Sequence, residues 1–273
     1  MSDQVRSASE EKAFYDDMWD RYSHLDAASP AAFHRRRLVI ELATRYAADV
    51  TRLLDVGCGQ GELLRDLTLR MPAAQISGSD LSERSLVDSR RINPTFELFE
   101  MDIADAKLPE KHPERMGRFG LVTCCEVLEH IPDHQTAAKN LAALLAPGGT
   151  LIATVPGGKM SRFDHAIGHQ RHYRPEHLES LLSNAGLQVE RVLAWGFPFH
   201  NLYRHAVRLA SMFTMPGANA ESAPAQAAAS KPGLVSSALS AGYIAFGRVL
   251  NPLFYLNVDR GGEQMIAIAR KAV

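Results

Sequence analysis

The amino-acid sequence predicts an α/β fold in which helices cover a doubly wound, mostly parallel sheet of seven strands. Short apolar runs bounded by turn residues alternate with amphipathic segments along most of the 273 residues. Strands that alternate with helices form parallel sheets that are buried on both faces. A glycine-rich turn directly follows the first apolar run, as in the ligand-binding βα units of such folds.

The predicted elements follow one another in a regular order. Strands are expected at 51–57, 75–80, 95–102, 120–126, 150–156, 188–196 and 263–271. Helices are expected at 10–24, after Pro30, and at 61–71, 83–91, 133–146 and 176–187. In the helix after Pro30, the spacing places Phe33, Leu38, Leu42 and Tyr46 inward and leaves Arg35, Arg36 and Arg37 largely solvated.

The same pattern divides the chain into three regions. Residues 1–48 form an N-terminal helical segment, and residues 49–196 together with 263–273 form the α/β core. Residues 197–262 are an insertion between the sixth and seventh strands, which we expect to be a helical cap over the substrate entrance. Its middle, near 216–233, is rich in Ala, Pro and Ser and is predicted to be a mobile linker.

Composition narrows the class of protein. The formal net charge is −1 and the pI is about 6.8, so no global charge attracts nucleic acid. The three cysteines form no CxxC pair, which favours a reducing compartment. The polar N-terminus predicts no secretory signal, and no apolar run is long enough to span a bilayer. A cytoplasmic protein is therefore expected.

The glycine-rich turn is the first candidate binding element. Its glycines are Gly57, Gly59 and Gly61. They allow a sharp turn and close approach of a ligand to the backbone, and Asp80 at the end of the second strand is placed to accept hydrogen bonds from ribose hydroxyls. Glu62 stands where a dinucleotide-binding GxGxxG motif requires glycine. Asp55 at the turn suits a ligand that carries an ammonium group.

Five segments resemble, in order, the motifs of class I S-adenosylmethionine-dependent methyltransferases: LLDVGCGQGELL, SGSDLS, MDIAD, VTCCEVLEHIPD and APGGTLIATVP. The resemblance covers about residues 50–195. It implies a Rossmann-like methyltransferase fold, S-adenosyl-L-methionine (SAM) as cofactor and S-adenosyl-L-homocysteine as product. It further implies a set of cofactor contacts: the three glycines and Asp55 at the methionine portion, Asp80 and Leu81 at the ribose, Asp102 and Ile103 at the adenine, Cys125 and Glu126 beside the cofactor, and Tyr15 or Trp19 as a cap.

An acid–histidine segment follows the fourth predicted strand. Glu126, Glu129 and His130 are spaced to converge on one helical face, and His169 lies in a later His-rich loop. These four side chains could hold a divalent ion such as Mg²⁺, which would acidify a substrate hydroxyl. The ExxEH segment is similar to that of ubiquinone-biosynthesis O-methyltransferases and of small-RNA 2′-O-methyltransferases, in which a later His joins the metal ligands.

Other roles for these residues remain open. Metal-free class I enzymes also contain an EVLEH segment, where Glu and His help to order the loop. Without a metal, His130 or His169 is the candidate general base. A further possibility is that the histidines, with Arg171 and Arg174, bind an anionic group of the substrate.

We therefore expect an enzyme that transfers a methyl group from SAM to a small molecule, most often at oxygen. The apolar, weakly basic insertion indicates a hydrophobic or anionic acceptor, or peripheral contact with a membrane. A dimer interface is an equal alternative, so both a monomer and a homodimer are compatible with the sequence. The rival functions are an RNA 2′-O-methyltransferase, which the lack of a basic stripe disfavours, and a non-catalytic SAM-binding module.

Overall fold

The computed structural model describes residues 10, 12–17, 29–214, 249 and 251–273, which contain a seven-stranded sheet. The strands are β1 (Arg52–Val56), β2 (Gln75–Asp80), β3 (Glu97–Glu100), β4 (Phe119–Cys125), β5 (Leu145–Pro156), β6 (Leu187–Trp195) and β7 (Gln264–Lys271). Their spatial order is β3-β2-β1-β4-β5-β7-β6. The predicted fold class and the seven predicted strands are confirmed.

The helices cover the two faces of this sheet. They are α1 (Pro30–Tyr46), α2 (Glu62–Arg70), α3 (Glu83–Ile92), α4 (Leu108–Lys111), α5 (His134–Leu144), α6 (Arg162–Ala166), α7 (Pro175–Asn184) and α8 (Phe199–Thr214). Short 3₁₀ helices span Pro113–Arg115 and Asn251–Leu256. Residues 12–17 are helical, as expected, whereas Trp19, the predicted linker at 216–233 and the rest of the predicted first helix lie outside the described residues.

The strand order creates one edge at which ligands can bind. The strands β1 to β5 are parallel, and β7 runs antiparallel to both β5 and β6. The chain winds outward from β1 in one direction and from β4 in the other, so a crevice opens between the carboxyl ends of these two strands. Residues that follow β1, β2, β4 and β5 therefore meet at a single edge.

The helix α1 buries only part of the predicted face: Leu38 and Leu42 pack against the core as expected, but Phe33 does not. Its fully buried residues include His34, Val39 and Ala43, whereas Phe33 is 42% exposed. The helix packs against β5, α2 and the 3₁₀ helix Asn251–Leu256. The Nε2 atom of His34 is 2.9 Å from the side-chain oxygen of Asn251, the first residue of that 3₁₀ helix. A hydrogen-bonded histidine can occupy an apolar interface, and this turns Phe33 outward. The expectation that Phe33 faces inward is wrong for this reason.

The insertion after β6 is closed at its base by hydrogen bonds. The backbone N–H of Val258 donates to the carbonyl of Phe197 at 2.8 Å, and the N–H of Gly196 donates to the carbonyl of Val258 at 3.1 Å. The side-chain oxygen of Asn257 accepts from the N–H of Phe199 at 2.8 Å, at the start of α8. These contacts define the neck of the insertion. Among the residues that the structure describes, no helix combines the length and apolarity needed to cross a bilayer.

Candidate active site

The turn between β1 and α2 depends on its glycines. Gly57, Gly59 and Gly61 have φ values of 72°, 54° and 80°, a left-handed conformation that other residues adopt only with strain. A Cβ atom at Gly57 would also lie 2.2 Å from a methyl carbon of Val127. The turn therefore packs tightly against the connection after β4, and the N-terminus of α2 points its free N–H groups toward the crevice.

Asp80 joins two neighbouring turns at the sheet edge. Its carboxylate accepts hydrogen bonds from the N–H of Gly59 and from the N–H of Ser82, both at 2.9 Å. Burial raises the pKa of Asp80, although these hydrogen bonds oppose the rise. Leu81 follows Asp80 and is half-buried. The backbone of the glycine turn is thus held against the end of β2.

The residues after β3 form a separate turn. The carboxylate of Asp102 accepts from the N–H of Ala104 at 2.9 Å, and Ile103 is buried. The carbonyl of Ile103 accepts from the side-chain amide of Asn140 at 2.8 Å. Neither Asp102 nor Ile103 lines the cavity described below, so the structure places these two residues beside that cavity rather than within it.

The helical residues 12–17 lie across the same edge. Lys12 forms an ion pair with Glu100 at the end of β3, and Asp16 accepts a hydrogen bond from the Ser82 hydroxyl. The ring of Tyr15 contacts the ring of His130 edge-on, with centroids 5.7 Å apart. This stretch therefore covers the ends of β2 and β3 on one side and reaches the acid–histidine turn on the other.

Asp55 is a buried carboxyl group at the centre of the crevice. It is 2% exposed, and its carboxylate accepts a hydrogen bond from the Thr123 hydroxyl at 2.7 Å. Burial raises the pKa of Asp55 to about 7, and the charge of Asp80 adds to this effect. No ion pair of Asp55 is present among the residues that the structure describes. The carboxylate therefore gains stability from a cationic ligand.

The acid–histidine segment is a turn and not a helix. Residues 126–130 follow β4 without helical structure, and Glu126 has a φ of 56°. The next helix, α5, starts only at His134, because the Asp133 side chain caps its N-terminus by accepting from the N–H of Thr136. The expected helical face of Glu126, Glu129 and His130 is therefore wrong.

Glu126 is held in its left-handed conformation by its neighbours. Its carboxylate accepts from the Thr154 hydroxyl at 3.0 Å and from the side-chain amide of Gln264 at 2.8 Å. The guanidinium of Arg35 lies 3.6 Å from its second oxygen. Cys125, the preceding residue, lines the crevice, and burial raises the pKa of its thiol. Glu126 thus connects β5, β7 and α1 at the crevice floor.

The turn brings Glu129 and His130 together with His169 from the loop after β5. One ligand atom from each side chain lies within 4.8 Å of the others, and this group does not include Glu126. Glu129 is completely buried, and both of its carboxylate oxygens have no hydrogen-bond partner among the described residues. Burial raises the pKa of Glu129 well above its usual range, lowers the pKa of His130 to about 4 and lowers that of His169.

The loop that carries His169 is fastened to this turn. The N–H of Gln170 donates to the carbonyl of Glu129 at 2.7 Å, and the Arg171 guanidinium donates to the carbonyl groups of residues 131–132. Arg171 therefore holds the backbone of the turn, and Arg174 is an exposed residue at the start of α7. This geometry disagrees with the hypothesis that these two arginines bind an anionic group of the substrate.

A cavity of about 330 Å³ lies between these elements. It is lined by the glycine turn with Asp55, by Glu126, His130 and His169, and by residues of α1 and α8. The sequence reasoning expected the insertion to cover the substrate entrance but named none of the individual site residues that these two helices contribute, which are Arg35, Arg36, His200, Tyr203, Arg204 and Arg208. The side chains of Arg35 and Arg36 are only 16% and 14% exposed, so the expectation that they are largely solvated is wrong. The run of three arginines after Pro30 was the available signal.

Two arginines of α8 are neutralised within the cavity wall. A guanidinium nitrogen of Arg208 lies 2.7 Å from a carboxylate oxygen of Glu263, and one of Arg204 lies 3.5 Å from a carboxylate oxygen of Asp164. Apolar groups of Phe163, Ile167, Tyr203 and Val207 occupy the same wall. The α8 side of the cavity is therefore largely apolar with paired charges.

A glycine turn with a following acidic residue, at the switch point of a parallel sheet, defines a nucleotide-type cofactor site of the Rossmann-like class. The family model described as "Methyltransferase domain" matches residues 31–192. The chain belongs to this family and is a SAM-dependent methyltransferase, as the motif resemblance predicted. Because a methyltransferase is an enzyme, the rival hypothesis of a non-catalytic SAM-binding module is not favoured.

Two curated relatives are ubiquinone biosynthesis O-methyltransferases. The protein of Xanthomonas euvesicatoria pv. vesicatoria (strain 85-10) is 32% identical over 185 residues, which cover 62% of this chain and 75% of that protein. The protein of Bordetella bronchiseptica (strain ATCC BAA-588 / NCTC 13252 / RB50) is 38% identical over 116 residues, which cover 42% of this chain and 47% of that protein. Each of these relatives leaves part of this chain unmatched.

Solved structures share the fold at low sequence identity. The [4+2]-cyclase SpnF has a TM-score of 0.55 and 21% identity, over 87% of this chain and 82% of that chain. Phosphoethanolamine N-methyltransferase 2 of Haemonchus contortus, in complex with SAM, has a TM-score of 0.59 and 17% identity, over 100% of this chain and 62% of that chain. A cyclase and an N-methyltransferase share this fold, so the fold alone does not specify the reaction.

Proposed function

We propose that this enzyme transfers a methyl group from SAM to a hydroxyl oxygen of a small, largely apolar molecule. The observation that carries the proposal is the buried Glu129 carboxyl group, which lies within 4.8 Å of ligand atoms of His130 and His169, two residues that line the same cavity as the glycine turn. The two relatives named as O-methyltransferases support an oxygen acceptor. The apolar wall with paired arginines favours an uncharged acceptor over an anionic one.

The cofactor roles follow from the crevice at β1 and β4. We assign the methionine portion of SAM to the glycine turn, with Asp55 as partner of its ammonium group. We assign Asp80 and Leu81 to the ribose, Asp102 and Ile103 to the adenine, and Cys125, Glu126 and Tyr15 to the flanks of the cofactor. The bound cofactor supplies an electrophilic methyl group on a sulfonium, so the protein's main task is to orient the acceptor oxygen.

Glu129, His130 and His169 have the chemistry of a divalent-cation site. A carboxylate and two neutral imidazoles are suitable ligands, and both Glu129 oxygens are buried without partners. A buried, unpaired carboxylate is costly, and a cation would compensate it. An ion such as Mg²⁺ supplies Lewis-acid chemistry that lowers the pKa of a substrate hydroxyl.

The lowered pKa of His130 bears on the choice between ligand and base. With a pKa of about 4, His130 is neutral near pH 7 and binds a proton weakly. A neutral imidazole is the form that ligates metals, whereas an efficient general base has a pKa near the operating pH. His130 and His169 are therefore assigned first as ligands. The side chains of α8 and of residues 12–17 would exclude water from the reacting groups.

The experiment measures binding and turnover with the full chain. Calorimetry with SAM should show binding, and transfer of labelled methyl from SAM to a panel of phenols, catechols and aliphatic alcohols should show an oxygen product by mass spectrometry. Glu129→Gln should reduce turnover at least about 100-fold while SAM affinity is retained. The surface variant Glu110→Gln serves as a matched control. Full activity of Glu129→Gln with excess chelator would refute the cation site, and methylation only at nitrogen or only of RNA would refute the proposed acceptor class.

A further inference from the structure

A third histidine, His172, contacts the candidate cation group of Glu129, His130 and His169 through His169. We propose that His172 is a positioning residue that keeps the proton of His169 on Nδ1, so that the Nε2 lone pair of His169 faces Glu129 and His130. The inference rests on the proposed function only in assigning His169 as a ligand. It concerns the protonation pattern of the protein before any cofactor or acceptor binds.

A backbone carbonyl group determines which nitrogen of His172 carries the proton. The Nδ1 atom of His172 lies 3.3 Å from the carbonyl oxygen of Gly158. A carbonyl oxygen can only accept a hydrogen bond, so the proton of a neutral His172 lies on Nδ1 and its Nε2 carries a lone pair. The side chain of His172 is only 3% exposed, and a buried environment favours this neutral form.

The contact between His172 and His169 then determines which nitrogen of His169 carries the proton. The Nδ1 atom of His169 lies 3.1 Å from Nε2 of His172. One proton fits between two nitrogens at this distance, and because His172 presents its lone pair there, His169 is the donor. The remaining nitrogen of His169, Nε2, then carries a lone pair. It lies 3.9 Å from a carboxylate oxygen of Glu129.

The nearest acidic group, Asp164, is already compensated. One of its oxygens lies 3.8 Å from Nε2 of His172, but a guanidinium nitrogen of Arg204 is closer to the same oxygen, at 3.5 Å. The second oxygen accepts from the N–H and the hydroxyl of Ser161 at 2.6 and 2.7 Å. The negative charge of Asp164 is therefore compensated without a proton on both nitrogens of His172.

This assignment chooses between two candidate cation groups that share His169. One group is Glu129, His130 and His169, and the other is Asp164, His169 and His172. In the second group, both facing nitrogens of the two histidines would have to be unprotonated, whereas their 3.1 Å contact contains a shared proton. In the first group, the unprotonated Nε2 atom of His169 faces Glu129 and can serve as a ligand. A metal-binding histidine whose other N–H is held by a partner is the usual arrangement.

The first test is the tautomer of the metal-free protein. Nitrogen-15 NMR of histidine-labelled protein, without SAM or acceptor, should show His169 protonated at Nδ1 and bare at Nε2, with signals assigned by their loss in His169→Gln. A proton on Nε2 of His169 would overturn the proposal. This readout needs no methyl transfer, so a protein with the expected tautomer but no O-methylation would overturn the proposed function alone.

The second test measures affinity for Co²⁺ alone by calorimetry. His172→Phe removes the acceptor for His169 and should weaken binding about 10- to 100-fold, whereas His172→Gln offers an amide oxygen near the Nε2 position and should stay within about threefold of the wild type. Glu129→Gln should abolish the site, and Asp164→Asn should leave the affinity within about threefold. Equal affinities for His172→Phe and the wild type, or a loss in Asp164→Asn as large as in Glu129→Gln, would overturn the proposal.

Discussion

Asp55→Asn probes the free energy of a buried charge in the cofactor crevice. The asparagine keeps the size of the side chain and can still accept the hydrogen bond from Thr123. It removes the carboxylate that we assign to the ammonium group of SAM. The variant should therefore separate two quantities, the stability of the cofactor-free protein and the affinity for SAM, and it should change them in opposite directions.

The magnitude follows from the pKa of about 7 in the folded protein, against 3.8 for the ordinary carboxyl group. Between these two pH values the folded protein holds the Asp55 proton while the unfolded chain has lost it, so rising pH lowers the free energy of unfolding. Each pH unit well inside this interval costs about 1.4 kcal/mol, which amounts to about 4 kcal/mol over the whole interval. Because Asp55 is half ionised at pH 7, the loss between pH 5 and pH 7 is about 2 kcal/mol. In Asp55→Asn, position 55 no longer contributes to this fall in the free energy of unfolding.

The assay is denaturant unfolding of both proteins at pH 5, 6, 7 and 8 without cofactor. The stability of Asp55→Asn relative to the wild type should rise by about 2 kcal/mol between pH 5 and pH 7 and should level off above that range. SAM affinity at pH 8 should fall roughly 10- to 100-fold, the cost of a lost charged hydrogen bond. Asp49→Asn, at an exposed position, is the control. A stability difference that does not change with pH would refute the reasoning.

Three further changes test other parts of the site. Gly57→Ala should destabilise the protein by about 1–3 kcal/mol, measured by thermal unfolding, because its Cβ meets Val127 and its φ is positive, and the double variant with Val127→Ala should recover only the part due to the clash. Glu129→Gln should remove the stabilisation that millimolar Mn²⁺ gives the wild type in a thermal shift assay, and an equal shift in both proteins would contradict the cation site. Arg171→Met should cost about 1–3 kcal/mol in unfolding free energy and lower turnover more than SAM affinity, since it frees the turn that carries Glu129, and unchanged turnover would show that this anchoring is not needed.

The α/β core could be predicted because its signals are local. Strands such as β4 are continuous apolar runs, and the glycine turn lies between a strand and a helix, where backbone geometry demands glycine. The convergence of Asp55 and Asp80 followed from the rule that parallel strands end at one edge. These inferences need only neighbouring residues and the topology that their alternation implies.

The parts that could not be predicted depend on distant partners. The burial of His34 in α1 depends on a hydrogen bond to Asn251, more than 200 positions away in the chain, and helical periodicity alone could not reveal that Phe33 turns outward. The non-helical turn of Glu129 depends on the capping of α5 by Asp133. The position of Arg35 in the crevice depends on its ion pair with Glu126. Spacing in the sequence suggested which acids and histidines meet, but not the shape of the turn.

The neck of the insertion has a consequence for how such enzymes diversify. Because Phe197 and Val258 pair across its base, the chain leaves β6 and returns to β7 through almost the same point in space. The ends of β6 and β7 are therefore held at the same distance whatever the length of the segment between them. Doubling the length of a flexible loop adds only about 0.6 kcal/mol to the entropic cost of closing it. Mutation can lengthen, shorten or exchange the segment while the chemistry of the crevice is inherited unchanged. Under the proposed function, the α8 wall that faces the acceptor and the crevice that binds the cofactor can thus evolve as two separately varying parts of one chain.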